Sequence, residues 1–178
     1  INTNLYNIHS DLNKNIIRKI LKMGHRIGLH FDASFYKKEI DLHKACKLEL
    51  KVLENIIEKR VQIISFHRPS SAILSTNKKV AKINHTYMDK FISKIDYCSD
   101  SHGTWRYSNP QSLINRNKSK KNYCLHLLTH PIWWTTPREL NPAEKIEHHI
   151  NNYSIEYKKY VSTNCKPYLN YLRSVKNK

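Results

Sequence analysis

The sequence is short of acid. Asp and Glu together number 14 against 31 Lys and Arg, a formal charge of +17 over 178 residues. Such an imbalance suits an anionic partner: nucleic acid, a membrane surface or an acidic glycan. The lysines, however, are scattered over expected helix faces, and the chain is rich in Asn and Ile, a bias that favours Lys without selection for binding. Only 116–121 (RNKSKK) and 173–178 are densely basic, and neither interleaves the aromatics on which single strands stack. No specific nucleic-acid partner is expected. Also missing is any apolar run near the roughly 20 residues of a membrane span, and any signal-peptide pattern. The cysteines, Cys46, Cys98, Cys124 and Cys165, form no C-x-x-C pair. That removes a zinc knuckle and a redox motif, leaving free thiols in a reducing, cytoplasmic compartment as the default. An initial Met is lacking too, and Ile1 onward reads as the tail of a strand. The N-terminal part of the domain is therefore expected to lie upstream.

What is present is organised around 24–32, GHRIGLHFD. Leu12, Ile16, Ile20 and Met23 recur at helical steps, and Gly24 stops that helix. A strand at Arg26–Leu29 follows, with His30 and Asp32 at its end, on one side of the chain by alternation. Residues 37–60 make a longer helix with Leu42, Cys46, Leu50, Leu53 and Ile57 as its buried stripe. Val61–Phe66 is a continuous apolar run, suited to a parallel strand covered on both faces, and it ends in His67-Arg68-Pro69. Residues 72–94 fit a loop and a short helix. Strands at Ile95–Ser99 and Tyr123–Thr129 follow, the first running into Asp100 and the second into His130. A last helix starts near Pro142, a favoured first-turn residue, with Ile146, Ile150, Tyr153, Tyr157 and Tyr160 as its stripe.

Strands alternating with helices predict parallel βα units in an α/β fold. Three strands with ligand-type residues at their C-terminal ends match an α/β barrel site. One domain spans 1–178, with 142–175 as a C-terminal helical region.

Each candidate also has a plainer structural use. A lone His is more often structural, but His30 has Asp32 beside it and a strand end beneath it. Arg68 follows a buried strand and should meet a carboxylate, either as a structural ion pair or to orient a catalytic group. Asp100 sits in a Ser/Gly turn where Asp is common; Trp105 and Arg106, close behind, make it part of a site wall. Trp133 and Trp134 offer flat faces for sugar rings, or simply core packing.

Taken together, these stretches resemble the motifs of the polysaccharide deacetylase superfamily, metal-dependent carbohydrate esterases. GHRIGLHFD is similar to its second motif, matching His30 to a metal-binding histidine. SFHRPS is similar to the third, matching Arg68 and Pro69. YCSDSHGTWR is similar to the fourth, matching Asp100 and Trp105, and LLTHP to the fifth, whose histidine is a general acid, matching His130. The four come in the family order and look closest to a branch found in surface-polysaccharide biosynthesis. The first motif, an aspartate pair supplying base and metal ligand, would lie upstream of Ile1. Ser34 stands where the second metal histidine is usual, so Asp32 or His67 would replace it.

The resemblance implies a distorted (β/α) barrel lacking its first strand, a divalent metal such as zinc at His30, Asp32 and His67, and an acetylated carbohydrate as substrate. It makes His130, Arg68 and Asp100 catalytic and puts Trp105 against the sugar, where the residues themselves also suggest Arg106, Trp133 and Trp134. All of these would gather at one end of the barrel. Two other readings stand beside it. One is a glycoside hydrolase on a related barrel, with Asp32 and Asp100 as its carboxylate pair. The other is a non-catalytic basic module that binds an anionic polymer.

Overall fold

A computed structural model describes residues 7–36 and 41–176. The chain forms two compact units, Ile1–Asp96 and Tyr97–Lys178.

In the first unit, helix α1 (Asp11–Lys22) starts where the Ser10 side chain accepts the Asn13 N–H, and carries Lys19 and Lys22 in its last turn. It stops at Gly24, whose φ of 85° is left-handed and favours glycine. Its inward residues are Ile17 and Leu21, which pack on the core. Leu12, Ile16 and Met23, expected on the buried stripe, are exposed. Strand β1 is Leu29–Asp32, three residues later than expected, so His30 and Asp32 lie within the strand. Leu29 and Phe31 point inward and are buried, while His30 and Asp32 share the opposite face.

Helix α2 (Leu42–Ile57) is capped by Asp41, whose carboxylate accepts the Lys44 N–H. It buries Ala45, Cys46, Leu50, Leu53 and Ile57, close to the expected stripe; the expected first turn at 37–40 lies outside the described residues. Burial pushes the Cys46 thiol up to about 12, with the charges of Glu49 and Asp41 adding to it, so the thiol stays protonated. Strand β2 (Ile63–His67) buries Ile64 and Phe66 but only half-buries Ile63 and Ser65, so one face is covered fully, not both. It pairs in parallel with β1, Leu29 opposite Ile64 and Asp32 opposite His67. After the single turn of α3 (Ser71–Leu74), Ala81 and Lys82 take left-handed φ of 50° and 66° between the paired Val80 and Ile83. That reversal delivers the two-residue β3 (Asn84–His85), parallel to β2. The turn of α4 (Asp89–Ile92) completes this unit's helices.

The second unit pairs β4 (Asp96–Ser99) with β5 (Leu125–Leu128). Around them lie α5 (Pro110–Arg116), α6 (Ile132–Thr135), α7 (Pro142–Asn164) and α8 (Lys166–Lys176). α7 begins at Pro142, as the sequence suggests, with a capping box closed by Asn141 and Glu144. Its apolar stripe is not buried: Ile146, Ile150, Tyr153, Tyr157 and Tyr160 are between 45% and 65% exposed.

The expected barrel does not form. The described residues make an open three-stranded parallel sheet, β1-β2-β3, and a separate two-stranded one, β4-β5. A barrel needs every strand hydrogen-bonded on both sides in one ring. Here β1 and β3 are edges of one sheet, and β4 and β5 pair only with each other. The class is α/β with small open sheets. Among the described residues no helix is long and apolar enough to cross a membrane.

Two predictions follow from the packing of the first unit. A Cβ at Gly28 would lie 2.6 Å from Ile63 Cγ2 and 3.1 Å from the Ile63 carbonyl oxygen. The β-branched Ile63 has little freedom to yield, so Gly28→Ala should cost about 1–3 kcal/mol, read as a lower urea midpoint. His85 is fully buried, and among the described residues no hydrogen bond of good geometry reaches either ring nitrogen. Burial holds its pKa below the ordinary 6.5, with the Lys78 backbone working weakly the other way. The unfolded chain therefore takes up this proton at higher pH than the folded one. The stability tied to it is whole above 6.5 and is lost as pH falls from there through the folded value. His85→Leu should remove that limb, at most about 1.4 kcal/mol per pH unit, from a series of denaturation curves. Equal slopes in both proteins would refute it.

Candidate functional site

The residues singled out by the sequence fall into two groups, one in each unit. In the first, the register of β1 on β2 sets His30 beside Ser65 and Asp32 beside His67. His30 Nδ1 shares a hydrogen bond of 2.7 Å with Ser65 Oγ, and the His30 and His67 rings meet edge to face at 5.6 Å. Asp32 Oδ2 lies 3.8 Å from His67 Nε2, and its Oδ1 accepts the Ser34 N–H at 2.8 Å. Burial alone would raise the Asp32 carboxyl. The hydrogen bonds from the Ser34 side chain and backbone, with the charges of His67 and Arg68, outweigh it and hold the carboxyl below its ordinary value. Asp32 therefore stays ionised and acceptor-only at neutral pH.

Arg68 departs from expectation. It is exposed, its φ of 49° is left-handed, and among the described residues it makes no hydrogen bond or ion pair. Its charge is felt at Asp32 only through space. Among the described residues no carboxylate grips it, and its left-handed backbone directly after β2 turns Arg68 out of the strand.

A catalytic zinc normally takes three protein ligands and leaves a fourth position open. His30, Asp32 and His67 do not meet that requirement: among the described residues no three His, Cys, Asp or Glu side chains gather to hold a metal.

The second group is tighter. The Asp100 N–H donates to the Leu128 carbonyl at 3.2 Å, extending the β4-β5 pairing by one step beyond Ser99. That brings the two strand ends together, with Asp100 after one and His130 after the other. The Asp100 carboxylate is 2% exposed and collects donors on both oxygens. The His130 N–H lies 3.0 Å from each oxygen, His130 Nδ1 is 2.7 Å from Oδ1, and the Trp134 indole N–H donates to Oδ2 at 3.0 Å. An ionised carboxylate only accepts, so Nδ1 carries the proton and Nε2 is left to exchange one. The imidazole side chain is 44% exposed, within reach of a ligand.

Pro131 turns the chain into α6, where the Trp133 N–H bonds the His130 carbonyl and the Trp134 N–H that of Pro131. That turn swings the Trp134 indole back over Asp100. Trp105 meets Trp134 with ring centroids 5.3 Å apart at 40°. A cavity of about 340 Å³ results, lined by Asp100, Gly103, Trp105, Trp133, Trp134, Arg138 and Lys145 among others. Arg106 does not line it; its backbone bridges Ser99 and its guanidinium lies over the Tyr107 ring at 5.2 Å. Ser65, Arg138 and Lys145 escaped the sequence reading. Ser65 reads there as an ordinary strand residue, and the two cations are lost among the other basic residues.

No family model, curated protein or solved structure matches the chain.

Replacing Asp100 by Asn would put an NH₂ group against donors that now meet a carboxylate. At least one part-buried donor would lose its acceptor, a cost of about 1–3 kcal/mol. Asp100→Asn should therefore lower the urea midpoint by that much. A midpoint equal to the parent's would show that this carboxylate does not hold the strand ends together.

Proposed function

We propose that this chain carries the site of a deacetylase-type carbohydrate hydrolase, which removes an N- or O-linked acetyl group from a polysaccharide or its precursor. Surface-polysaccharide biosynthesis is its proposed setting and the cytoplasm its compartment, in keeping with the four free thiols. The observation that carries the reading is the His130–Asp100 pair: a buried carboxylate fixes one ring nitrogen of a half-exposed imidazole, and the same carboxylate holds the indole N–H of Trp134. This is the arrangement general acid–base catalysis requires.

In this reading water adds to the acetyl carbonyl carbon. As the bond to the sugar nitrogen or oxygen breaks, the proton on His130 Nε2 passes to that leaving atom. Asp100 keeps the imidazole in the right tautomer and stabilises its charged form. The resemblance assigns the proton of the water to an aspartate of the first motif. It also implies a divalent ion, zinc by its ligand chemistry, which would polarise the carbonyl. His30, Asp32 and His67 alone do not assemble that ion's donor set, so no role assigned here runs through it. The glycoside hydrolase alternative is weaker, because both Asp100 oxygens are already committed to donors. Neither is left to attack an anomeric carbon.

The test is acetate release from N-acetylated and O-acetylated oligosaccharides, measured on the protein as its gene encodes it. His130→Ala should reduce the rate by about 10²–10⁴-fold, the usual worth of a positioned acid or base, with an unchanged circular dichroism spectrum. Turnover that survives the substitution would end this reading.

A further inference from the structure

The cavity beside Asp100 is lined by two cations, Arg138 and Lys145. We propose that it is a subsite for a sugar carrying an anionic substituent, a carboxylate or a phosphate, adjoining the position on which His130 acts. The saccharide part of this inference rests on the proposed function; the anionic part rests on the cavity.

Lys145 stands in the first turn of α7, where the helix dipole opposes a cation. It is held there by donating to the Trp133 carbonyl at 3.1 Å, which leaves two of its three N–H groups for a ligand. Arg138 is exposed and forms no ion pair among the described residues. The carboxylates nearby do not neutralise the two by contact. Asp100 is taken up by His130 and Trp134, and Glu144 is tied into the capping box through the Asn141 N–H at 2.7 Å. Glu139, next to Arg138 in the chain, forms no ion pair among the described residues.

The walls suit a sugar ring. All three tryptophans of the chain line this one cavity, and the tilted Trp105–Trp134 pair gives a corner with two aromatic faces for C–H groups. Gly103 closes one side: its φ is 77°, and a Cβ there would meet Pro142 Cγ at 2.8 Å. The overall charge of +17 draws anions toward the whole surface, and the cavity gives them a place to settle.

Because every tryptophan lies here, intrinsic tryptophan fluorescence reports on this cavity alone and needs no turnover. The protein is titrated with a hexuronate oligosaccharide, a hexose phosphate, a neutral N-acetylglucosamine oligosaccharide and inorganic phosphate. One or both acidic saccharides should saturate the change at a concentration at least about tenfold lower than the neutral one. Arg138→Gln and Lys145→Gln should each weaken that binding by about tenfold, as expected for one charged hydrogen bond. Which acidic saccharide binds more tightly tells carboxylate from phosphate. Equal binding of neutral and acidic saccharides overturns the proposal, as does inorganic phosphate matching the sugar ligands. Charge-selective binding without acetate release would uphold this inference and sink the deacetylase reading. Acetate release without charge selectivity would do the reverse.

Discussion

The second unit is organised by a single buried anion. The Asp100 carboxylate is almost wholly removed from water, which is tolerable only because donors meet both oxygens. Those donors come from two places: the backbone and ring of His130, two residues past β5, and an indole from α6. One side chain thus fixes where β5 ends, how α6 turns and which ring nitrogen of His130 remains available. The short strands β4 and β5, four residues each, could not impose that order by pairing alone. Chemistry and local fold share one set of hydrogen bonds here, so damage to one reaches the other.

The first unit is held by a different constraint, the parallel register of β1 on β2. It stacks Phe31 against Tyr36 and sets Phe66 edge-on to Phe31, with α2 covering the sheet. Tyr36 also donates to the otherwise buried Glu49, so the carboxylate on the inner face of α2 is not stranded. On the outer face the same register lines up His30, Ser65, Asp32 and His67. That row is polar and hydrogen-bonded: His30 bonds Ser65, Asp32 lies beside His67, and the two imidazoles meet edge to face.

How much of this was legible in the sequence depends on distance along the chain. Helix α2, the start of α7 and the positions of Asp100 and His130 after strands follow from local pattern: periodicity, Pro142, the apolar runs. The same alternation predicts a closed barrel, but closure depends on which strands pair, and no short window records that. The stripe on α7 shows why periodicity is incomplete. It marks an apolar face and says nothing about what covers it, and here the face is exposed. Residues 72–94 were opaque for another reason. Their reversal is built on left-handed Ala81 and Lys82, where Asn or Gly would normally signal such a turn, so His85 looked like a loop residue and is in fact core. Within the candidate site the tryptophans, Asp100 and His130 stand out one by one, but the hydrogen bond that pairs Asp100 with His130 does not show in the sequence. The exposure of Arg68 is not legible, because its left-handed backbone does not show in its residue type.

α7 is pinned at one end only by the features that build the cavity. Its first turn is locked by the capping box, by Pro142 against Gly103 and by Lys145 on the Trp133 carbonyl. From there 23 residues run on as a rod, about 34 Å long at 1.5 Å per residue. A rod held at its base is a lever: a tilt of about 6° at the cavity rim would carry the far end, and α8 packed beside it, through about 3–4 Å. A shift at Lys145 too small to notice locally would be written large along the exposed tyrosines.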